Sequence, residues 1–370
     1  MNTLFPFGFP GPTALYLTLY VVTLVSHVIF MNYVVAGTGY LAASSLGSSP
    51  NKGPAARLLG DWLTVGLSVA ITAGVAPLLF IQILYKEAFY SANLLLFHRW
   101  MLILPVLIVG FYLLYLQKSD KISQGPAWLR RLVGPAALLC FLFVGYSWTE
   151  NHLLSQQPAV WPEFYSQGKL FYYSNVLLPR LGIWITGALP TMSMLVGWQL
   201  LWQRRHEGVD LKAHTVDDRR LAIVALVGLA LSAGCGAWSF ALLPQSATDA
   251  MTGALGLPWL IAALVGGVAQ VAAWAMIARK GAIERHTLWL ASAGSGLAIT
   301  GATVAREAVR LSQNDMVALA QHHAKALEQG GLILFLIFFA VNAAIIGWIV
   351  RVGHLAAQKR AQASNGPQAA

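Results

Sequence analysis

Charged residues are scarce in this sequence. They make up 10% of its 370 residues, whereas 57% are hydrophobic and the mean hydropathy is +0.62. Ordinary soluble domains carry about one quarter charged residues. Cysteine is scarce too: Cys140 and Cys235 lie inside apolar runs and form no CxxC or CxxCH motif, so nothing indicates a zinc site, covalent haem attachment or a disulfide framework. This composition excludes a soluble protein and predicts a polytopic membrane protein.

Acidic residues are scarcer than basic ones. The chain has 14 Asp and Glu against 24 Lys and Arg, a formal net charge of +10. In a soluble chain this surplus would suggest a nucleic-acid partner. Here the basic residues lie in short loops between apolar stretches, where the bias of Lys and Arg towards the cytoplasmic side explains them. We therefore expect the lipid bilayer, and no nucleic acid, as a partner.

Apolar stretches long enough to cross a bilayer recur nine times. They predict an all-α fold, a bundle of about nine transmembrane helices in a single domain over residues 1–355. The polar, Gln- and Ala-rich residues 356–370 are predicted to form a disordered cytoplasmic tail. The predicted spans are 13–42, 58–85, 94–117, 127–149, 175–203, 219–243, 253–278, 286–306 and 331–352.

The distribution of basic residues predicts the direction of insertion. Of the 24 Lys and Arg residues, 17 fall in one set of alternate loops and the C-terminal region. By the positive-inside rule these loops are cytoplasmic, so the N-terminus is outside and the C-terminus inside. Residues 149–174 and 307–330 are then extracytoplasmic.

Small residues at four-residue spacing indicate where helices pack closely. Gly228, Ser232 and Gly236 in the sixth span have this spacing, and so does a second set in the eighth span. Small side chains allow two helix backbones to approach each other in a membrane. The second set is Ser292, Gly296 and Thr300.

His27 lies near the middle of the first span, in "LVSHVIFMNYVVAG". Ionisable residues at that depth are costly and are often functional. One interpretation is structural: a neutral imidazole donates a hydrogen bond to a carbonyl or hydroxyl on a neighbouring helix. The other is that His27 ligates the iron of a b-type haem between helices. The spacing alone does not decide between them.

Aromatic residues gather on the predicted outer side. Residues 150–173, "ENHLLSQQPAVWPEFYSQGKLFYY", form the longest stretch there without span character. Its rings fit an aromatic belt at the membrane surface. They fit equally well the lining of a passage for a lipid-soluble ring such as a quinone.

The first two spans resemble a known family. "SHVIFMNYVVAG" and "GVAPLLFIQILYKEAFYSANL", together with nine spans and an outside N-terminus, are similar to subunit I of cytochrome bd quinol oxidase. The resemblance covers about the first 110 residues, and beyond them only the number of helices agrees. It implies that His27 matches the first-span histidine that ligates a b haem. Gln82 matches a glutamine near the outer end of the second span.

The sequence also departs from that family. The third span has no carboxylate, where the family has a glutamate. The fifth span has Leu181, Gly182 and Ile183 near the place of a second haem-ligating histidine, and residues 244–252 are too short for the quinol-binding loop. With no carboxylate inside the membrane to begin a proton path, we do not expect this chain alone to reduce oxygen.

The resemblance implies a reduced relative with one haem b or none, in a bacterial inner membrane. Its site residues would be His27 and Gln82, with His98 as a second possible iron ligand and Met31, Met192, Met194 and Met276 as others. The predicted outer side also holds guanidinium groups that could pair with haem propionates or with a partner's acidic surface. Extension of long side chains to the interface explains each arginine equally well. These arginines are Arg99, Arg180, Arg306 and Arg310.

Three functions are compatible with this pattern. The first is a membrane subunit of a respiratory electron-transfer complex that links quinone or quinol to an extracytoplasmic partner such as a c-type cytochrome. The second is a haem-free anchor for respiratory redox subunits, consistent with the missing carboxylate and histidine. The third is a transporter, which gains little because no two matching halves have spans broken by Gly or Pro.

Overall fold

The computed structural model describes residues 9–46, 53–119, 125–207, 211–341, 344–345, 348 and 351–352. In these ranges the regular structure is helical throughout, with one short 3-10 turn at Pro158–Val160. The helices are α1 (Gly11–Leu46), α2 (Pro54–Leu84), α3 (Lys86–Leu95), α4 (Phe97–Lys118), α5 (Ala127–Ser155), α6 (Trp161–Ser166), α7 (Leu177–Glu207), α8 (Leu211–Ala241), α9 (Gln245–Thr252), α10 (Leu257–Lys280), α11 (Arg285–Ser312), α12 (Met316–Glu328) and α13 (Gly331–Val341).

Eight of these helices are long and apolar enough to cross a membrane: α1, α2, α4, α5, α7, α8, α10 and α11. Helices α12 and α13 pass the same test only as a pair, bent by 69° at the break between them. The predicted all-α, multi-span fold is therefore confirmed. Helix α13 begins at 331, the predicted start of the ninth span, whereas α12 lies within residues 307–330, predicted as an extracytoplasmic segment. The predicted tail 356–370 lies outside the described residues. The direction of insertion stays a prediction.

Two helices continue past their predicted ends. Helix α5 extends to Ser155 instead of 149, and α11 extends to Ser312 instead of 306. Glu150 and Glu307 are consequently helical, and both are buried. Two buried carboxylates therefore lie in the helices just beyond the predicted ends of the spans. Each carboxylate has basic partners close by, which is what permits its burial.

Helices α1 and α2 pack through glycines that let side chains from the other helix approach. A Cβ atom added at Gly37 would lie 2.8 Å from Leu59 and Leu63, and one added at Gly66 would lie 2.9 Å from the Tyr33 ring. These glycines run along the contact between the two helices. The same contact brings the middle of α1 against the middle of α2, which positions the histidine of α1.

The predicted packing of the sixth span is right at two of its three residues. A Cβ atom at Gly228 in α8 would lie 2.7 Å from the Thr186 carbonyl of α7, and the Ser232 hydroxyl donates to the Ile183 carbonyl at 3.4 Å. Gly236 has no atom within 4 Å of an added Cβ. Gly236 therefore does not face α7.

The contact between α10 and α11 uses other glycines than predicted. Cβ atoms added at Gly266, Gly294 or Gly301 would come within 2.8 Å of backbone atoms on the facing helix. Gly296 faces open space, so its predicted packing role is wrong. The predicted residues and the glycines that contact α10 lie on neighbouring faces of α11.

A pair of adjacent carboxylates stabilises the end of the bundle predicted to face the cytoplasm. Asp217 accepts a hydrogen bond at 2.7 Å from the backbone N–H of Ala55, at the start of α2. Asp218 accepts one at 2.8 Å from the N–H of Ile283 and forms an ion pair with Arg204. Both aspartates are buried. We call Asp217, Asp218 and Arg204 the aspartate clamp, because they join α2, α7, α8 and the loop before α11.

Candidate functional site

Charged and phenolic side chains meet at the opposite end of the bundle. Glu307 of α11 accepts hydrogen bonds from Arg306 at 2.8 Å and from the Tyr85 hydroxyl at 3.0 Å. Arg306 also donates to the Tyr20 hydroxyl of α1 at 3.2 Å. Glu307, Tyr85 and Tyr20 are all buried. The carboxylate thus bonds one cation and one neutral donor.

Tyr85 lies just beyond the end of α2, where its hydroxyl supports the Glu307 carboxylate. Burial, together with the nearby negative charge of Glu307, raises the pKa of the Tyr85 hydroxyl well above its usual value. The hydroxyl therefore stays protonated at neutral pH and acts as a donor. Its hydrogen bond to Glu307 helps to hold the carboxylate in place.

Two further arginines lie in the same place without a carboxylate of their own. Arg310 is 2% exposed, and its guanidinium carbon lies 3.7 Å from the centre of the Tyr85 ring. Its Nη1 atom is buried and has no hydrogen-bond partner among the described residues. Arg180 of α7 lies within electrostatic range of Arg306, Glu307 and Arg310. We call Arg180, Arg306, Glu307 and Arg310 the arginine cluster.

The arginine cluster carries a surplus of positive charge. Three guanidinium groups share one carboxylate, so its formal charge is +2. A buried charge without a counter-ion is costly, and guanidinium groups bind carboxylates and phosphates well because of their planar donor geometry. The cluster can therefore hold an anion. His152 of α5, also buried, is within electrostatic range of the three arginines and accepts or donates at 3.2 Å to Gln156.

His27 lies against α2. Its Nδ1 is 2.9 Å from the carbonyl oxygen of Ala70, and a Cβ atom added at Gly74 would lie 2.9 Å from the imidazole ring. A carbonyl oxygen can only accept, so Nδ1 carries the hydrogen, and the neutral ring has its lone pair on Nε2. This is the arrangement of a histidine whose other nitrogen binds a metal. It is also the arrangement of a histidine that only joins two helices.

His27 and the arginine cluster are related through α1. Tyr20, which bonds Arg306, precedes His27 by seven residues. Seven residues make two helical turns, about 10 Å along the axis, and return to the same face of the helix. The imidazole therefore lies on the face of α1 that leads to the cluster, two turns deeper.

The remaining predicted site residues are separate from this arrangement. Gln82 accepts a hydrogen bond at 3.3 Å from the Tyr90 hydroxyl at the exposed surface. His98 is exposed at the first turn of α4, its ring against Phe97. Arg99 forms an ion pair with buried Glu150. Because its charge is already neutralised by a protein carboxylate, the physical reason for assigning Arg99 to a cofactor is removed.

Several participants were not recognised in the sequence. Tyr20, Tyr85 and Glu307 support the arginine cluster, and their contacts span 222 to 286 positions of the chain. The only local signal was the run of Arg306, Glu307 and Arg310 with spacings of one and three, which places these side chains on neighbouring faces of a helix. Among the described residues, no group of three or more His, Cys, Asp or Glu side chains is placed to hold a metal ion.

Comparisons with known proteins yield a likeness of fold. No protein-family model matches the chain, and no curated protein matches it by sequence. A solved structure matches in fold: a chain of "The structure of bd oxidase from Geobacillus thermodenitrificans" superposes on this chain with a TM-score of 0.68. The match covers 92% of this chain and 98% of that chain, at 12% sequence identity. The chain therefore has a bd oxidase-like fold, and the resemblance extends from the first two spans to nearly the whole bundle. The fold and its long apolar helices are those of a multi-pass membrane protein.

Proposed function

We propose that this chain is a membrane subunit of a respiratory electron-transfer complex in a bacterial inner membrane. In this function it passes electrons between quinone or quinol and an extracytoplasmic redox partner, such as a c-type cytochrome, through a b-type haem. The observation that carries the proposal is the arginine cluster, with its surplus positive charge, two helical turns from His27 on one face of α1. The bd oxidase-like fold supports it.

The residues at the two positions fit a haem. His27 would be the axial ligand through Nε2, because its Nδ1 hydrogen is held by the Ala70 carbonyl. Arg180, Arg306 and Arg310 would hold the propionates, and the unpartnered Nη1 of Arg310 is a donor that an anionic group satisfies. The bound haem supplies reversible one-electron chemistry. His98 remains a second proposed iron ligand.

The protein residues themselves would set the electrostatic environment. Glu307 offsets one of the three guanidinium charges, and Tyr85 and Arg306 keep the carboxylate fixed. Positive charge near a redox centre favours the reduced, more negative form. Gln82, bonded to Tyr90 at the surface, is the residue proposed to meet a quinone head group. Because the connection at 244–252 is short and α4 has no carboxylate, the proposed function does not include oxygen reduction by this chain alone.

A haem-free anchor for redox subunits is the second candidate. One observation favours it: a Cβ atom at Gly182 would lie 2.6 Å from the Cys235 sulfur. Helices α7 and α8 are thus in close contact at the place where the resembling family has a second haem-ligating histidine. An anchor would need no haem at either position.

Absorbance spectroscopy tests the proposal. Protein purified after expression with haem supplied is expected to show a Soret band and a reduced-minus-oxidised b-type spectrum. His27→Ala should abolish or shift both, whereas His286→Ala, an exposed histidine at the start of α11, should leave them unchanged. His98→Ala shifts the spectrum only if His98 is the sixth ligand.

The same preparation distinguishes the second candidate. A wild-type chain without a Soret band would contradict the electron-carrying function. The anchor function then requires that extracytoplasmic redox proteins co-purify with the chain and that changes within residues 306–325 release them.

A further inference from the structure

The segment between α5 and α7 is firmly attached to the bundle. Phe164 of α6 is buried in a cluster with Ala92, Leu96 and Leu154. The indole N–H of Trp161 donates to the Leu154 carbonyl at 2.8 Å. This half of the segment therefore has one fixed, inward face.

A buried carboxylate attaches the second half. Glu150 of α5 is fully buried and accepts a hydrogen bond at 2.7 Å from the backbone N–H of Tyr172. Arg99, the ion-pair partner of Glu150, places its guanidinium 4.2 Å from the centre of the Phe171 ring. The course of the chain at residues 171–172 is thus fixed by contacts with α4 and α5.

The outward side of this fixed segment is apolar. Tyr165 is 80% exposed and Tyr173 is 78% exposed. The two charged residues nearest to them, Glu163 and Lys169, form an ion pair at 3.2 Å, so the surface has no net charge. Large exposed apolar groups on an ordered surface mark an interaction site more often than a water-facing loop. We call the exposed set the apolar shelf: Tyr165, Leu170, Phe171, Tyr173 and Leu178.

We propose that the apolar shelf lies in the head-group region of the bilayer and anchors the outer end of the bundle at the membrane interface. The shelf leads directly into α7, whose membrane-crossing part begins at Leu177. It is therefore level with the end of a span. Tyrosine side chains prefer this region because they combine an apolar ring with a hydroxyl that bonds water or head groups, while Leu170, Phe171 and Leu178 supply apolar surface. The lack of net charge matches zwitterionic lipid better than an acidic or basic protein surface.

Site-directed spin labelling measures the depth of the shelf. The full chain, with Cys140→Ser and Cys235→Ser, is reconstituted alone into phosphatidylcholine vesicles. Nitroxide labels are attached at Tyr165→Cys and, separately, at Ser166→Cys, which keeps every shelf side chain. Collisions with oxygen, which concentrates in lipid, are compared with collisions of a nickel chelate that stays in water.

The reference label is at Gln313→Cys, an exposed polar position between α11 and α12 on the same side of the bundle. We expect the ratio of oxygen to nickel collisions to be several-fold higher at 165 and 166 than at 313. Equal ratios at all three positions would overturn the proposal, because they would place the shelf in water, where a partner protein would have to cover it. Since no haem is needed, this result is independent of the electron-transfer function.

Discussion

The aspartate clamp and the arginine cluster, at opposite ends of the bundle, differ in how fully their charges are paired. In the aspartate clamp, each buried carboxylate accepts a backbone N–H, and Asp218 also neutralises Arg204. In the arginine cluster, three guanidinium groups share Glu307, and Arg310 has an unpartnered donor. In the clamp, Arg220 also lies 3.9 Å from Asp217, so the two carboxylates face two guanidinium groups. Paired charge of this kind stabilises a fold, whereas surplus charge with an unpartnered donor is suited to a ligand. The two groups therefore differ as a structural site differs from a candidate binding site.

The largest expected effect is on the clamp. Asp218→Ala removes the buried ion pair with Arg204 and the acceptor of the Ile283 N–H, so we expect the free energy of unfolding to fall by about 3–5 kcal/mol. Denaturant unfolding in detergent measures the change. Asp249→Ala removes an exposed carboxylate from α9 and serves as the control, with a change below about 1 kcal/mol. Equal losses in the two variants would show that the clamp does not stabilise the fold.

Arg306→Met breaks the balanced part of the arginine cluster. It removes the hydrogen bonds of Arg306 to Glu307 and to the Tyr20 hydroxyl, while Arg180 and Arg310 still offset the carboxylate, so the expected loss is about 2 kcal/mol of unfolding free energy. Thermal unfolding of the haem-free protein measures it. Adding Glu307→Gln to this variant should lower the stability further, because Arg180 and Arg310 then lack a counter-charge. Equal stability of the single and double variants would mean that packing, not charge, causes the loss.

Arg310→Met tests the surplus positive charge of the arginine cluster. Removing an unpaired buried charge should change the stability of the haem-free protein by less than about 1 kcal/mol, or raise it. The same substitution should weaken haem retention at least about tenfold, the effect of losing roughly 1.4 kcal/mol from a charge-assisted bond. Haem released on dilution is followed by the Soret absorbance. If Arg310→Met instead destabilised the protein and left haem retention unchanged, Arg310 would be a structural residue and not a haem-binding one.

The substitution Gly74→Ala has the smallest expected effect. Its new methyl group would press on the His27 ring, so we expect reduced haem content with little change in helix content. Gly60→Ala on the same helix meets open space and should gain up to about 1 kcal/mol from helix propensity. Haem per protein, measured from the pyridine spectrum, compares the two. Identical haem content would indicate that the His27 ring does not hold the iron.

The fold was predictable because each membrane helix is marked by a long apolar stretch in the local sequence. Long apolar stretches predict eight of the helices directly, and the resemblance of the first two spans anticipated the bd oxidase-like fold. Helix α12, within the segment 307–330 predicted as extracytoplasmic, was not predicted; it ends just before Gly330, whose positive φ of 81° is a conformation that glycine adopts readily. The choice of packing glycines also failed in α11, since four-residue spacing fits more than one face of a helix.

The candidate site was only partly predictable. His27, Arg180, Arg306 and Arg310 were recognised because charge is conspicuous in an apolar chain. Their partners were not, because the contacts of Tyr20 and Tyr85 with α11 join residues far apart in sequence. The partner of Arg99 was missed for the same reason: Glu150 lies 51 positions away and was placed outside the predicted span.

The bond between Asp217 and Ala55 has a consequence for biogenesis. The second helix begins at Pro54, but the carboxylate that completes its first turn lies 162 residues later in the chain. A ribosome must therefore synthesise and insert most of the bundle before that amide finds its acceptor. Until residue 217 is in place, the start of α2 lacks this side-chain acceptor, so the first turn of the second helix is completed only late in assembly.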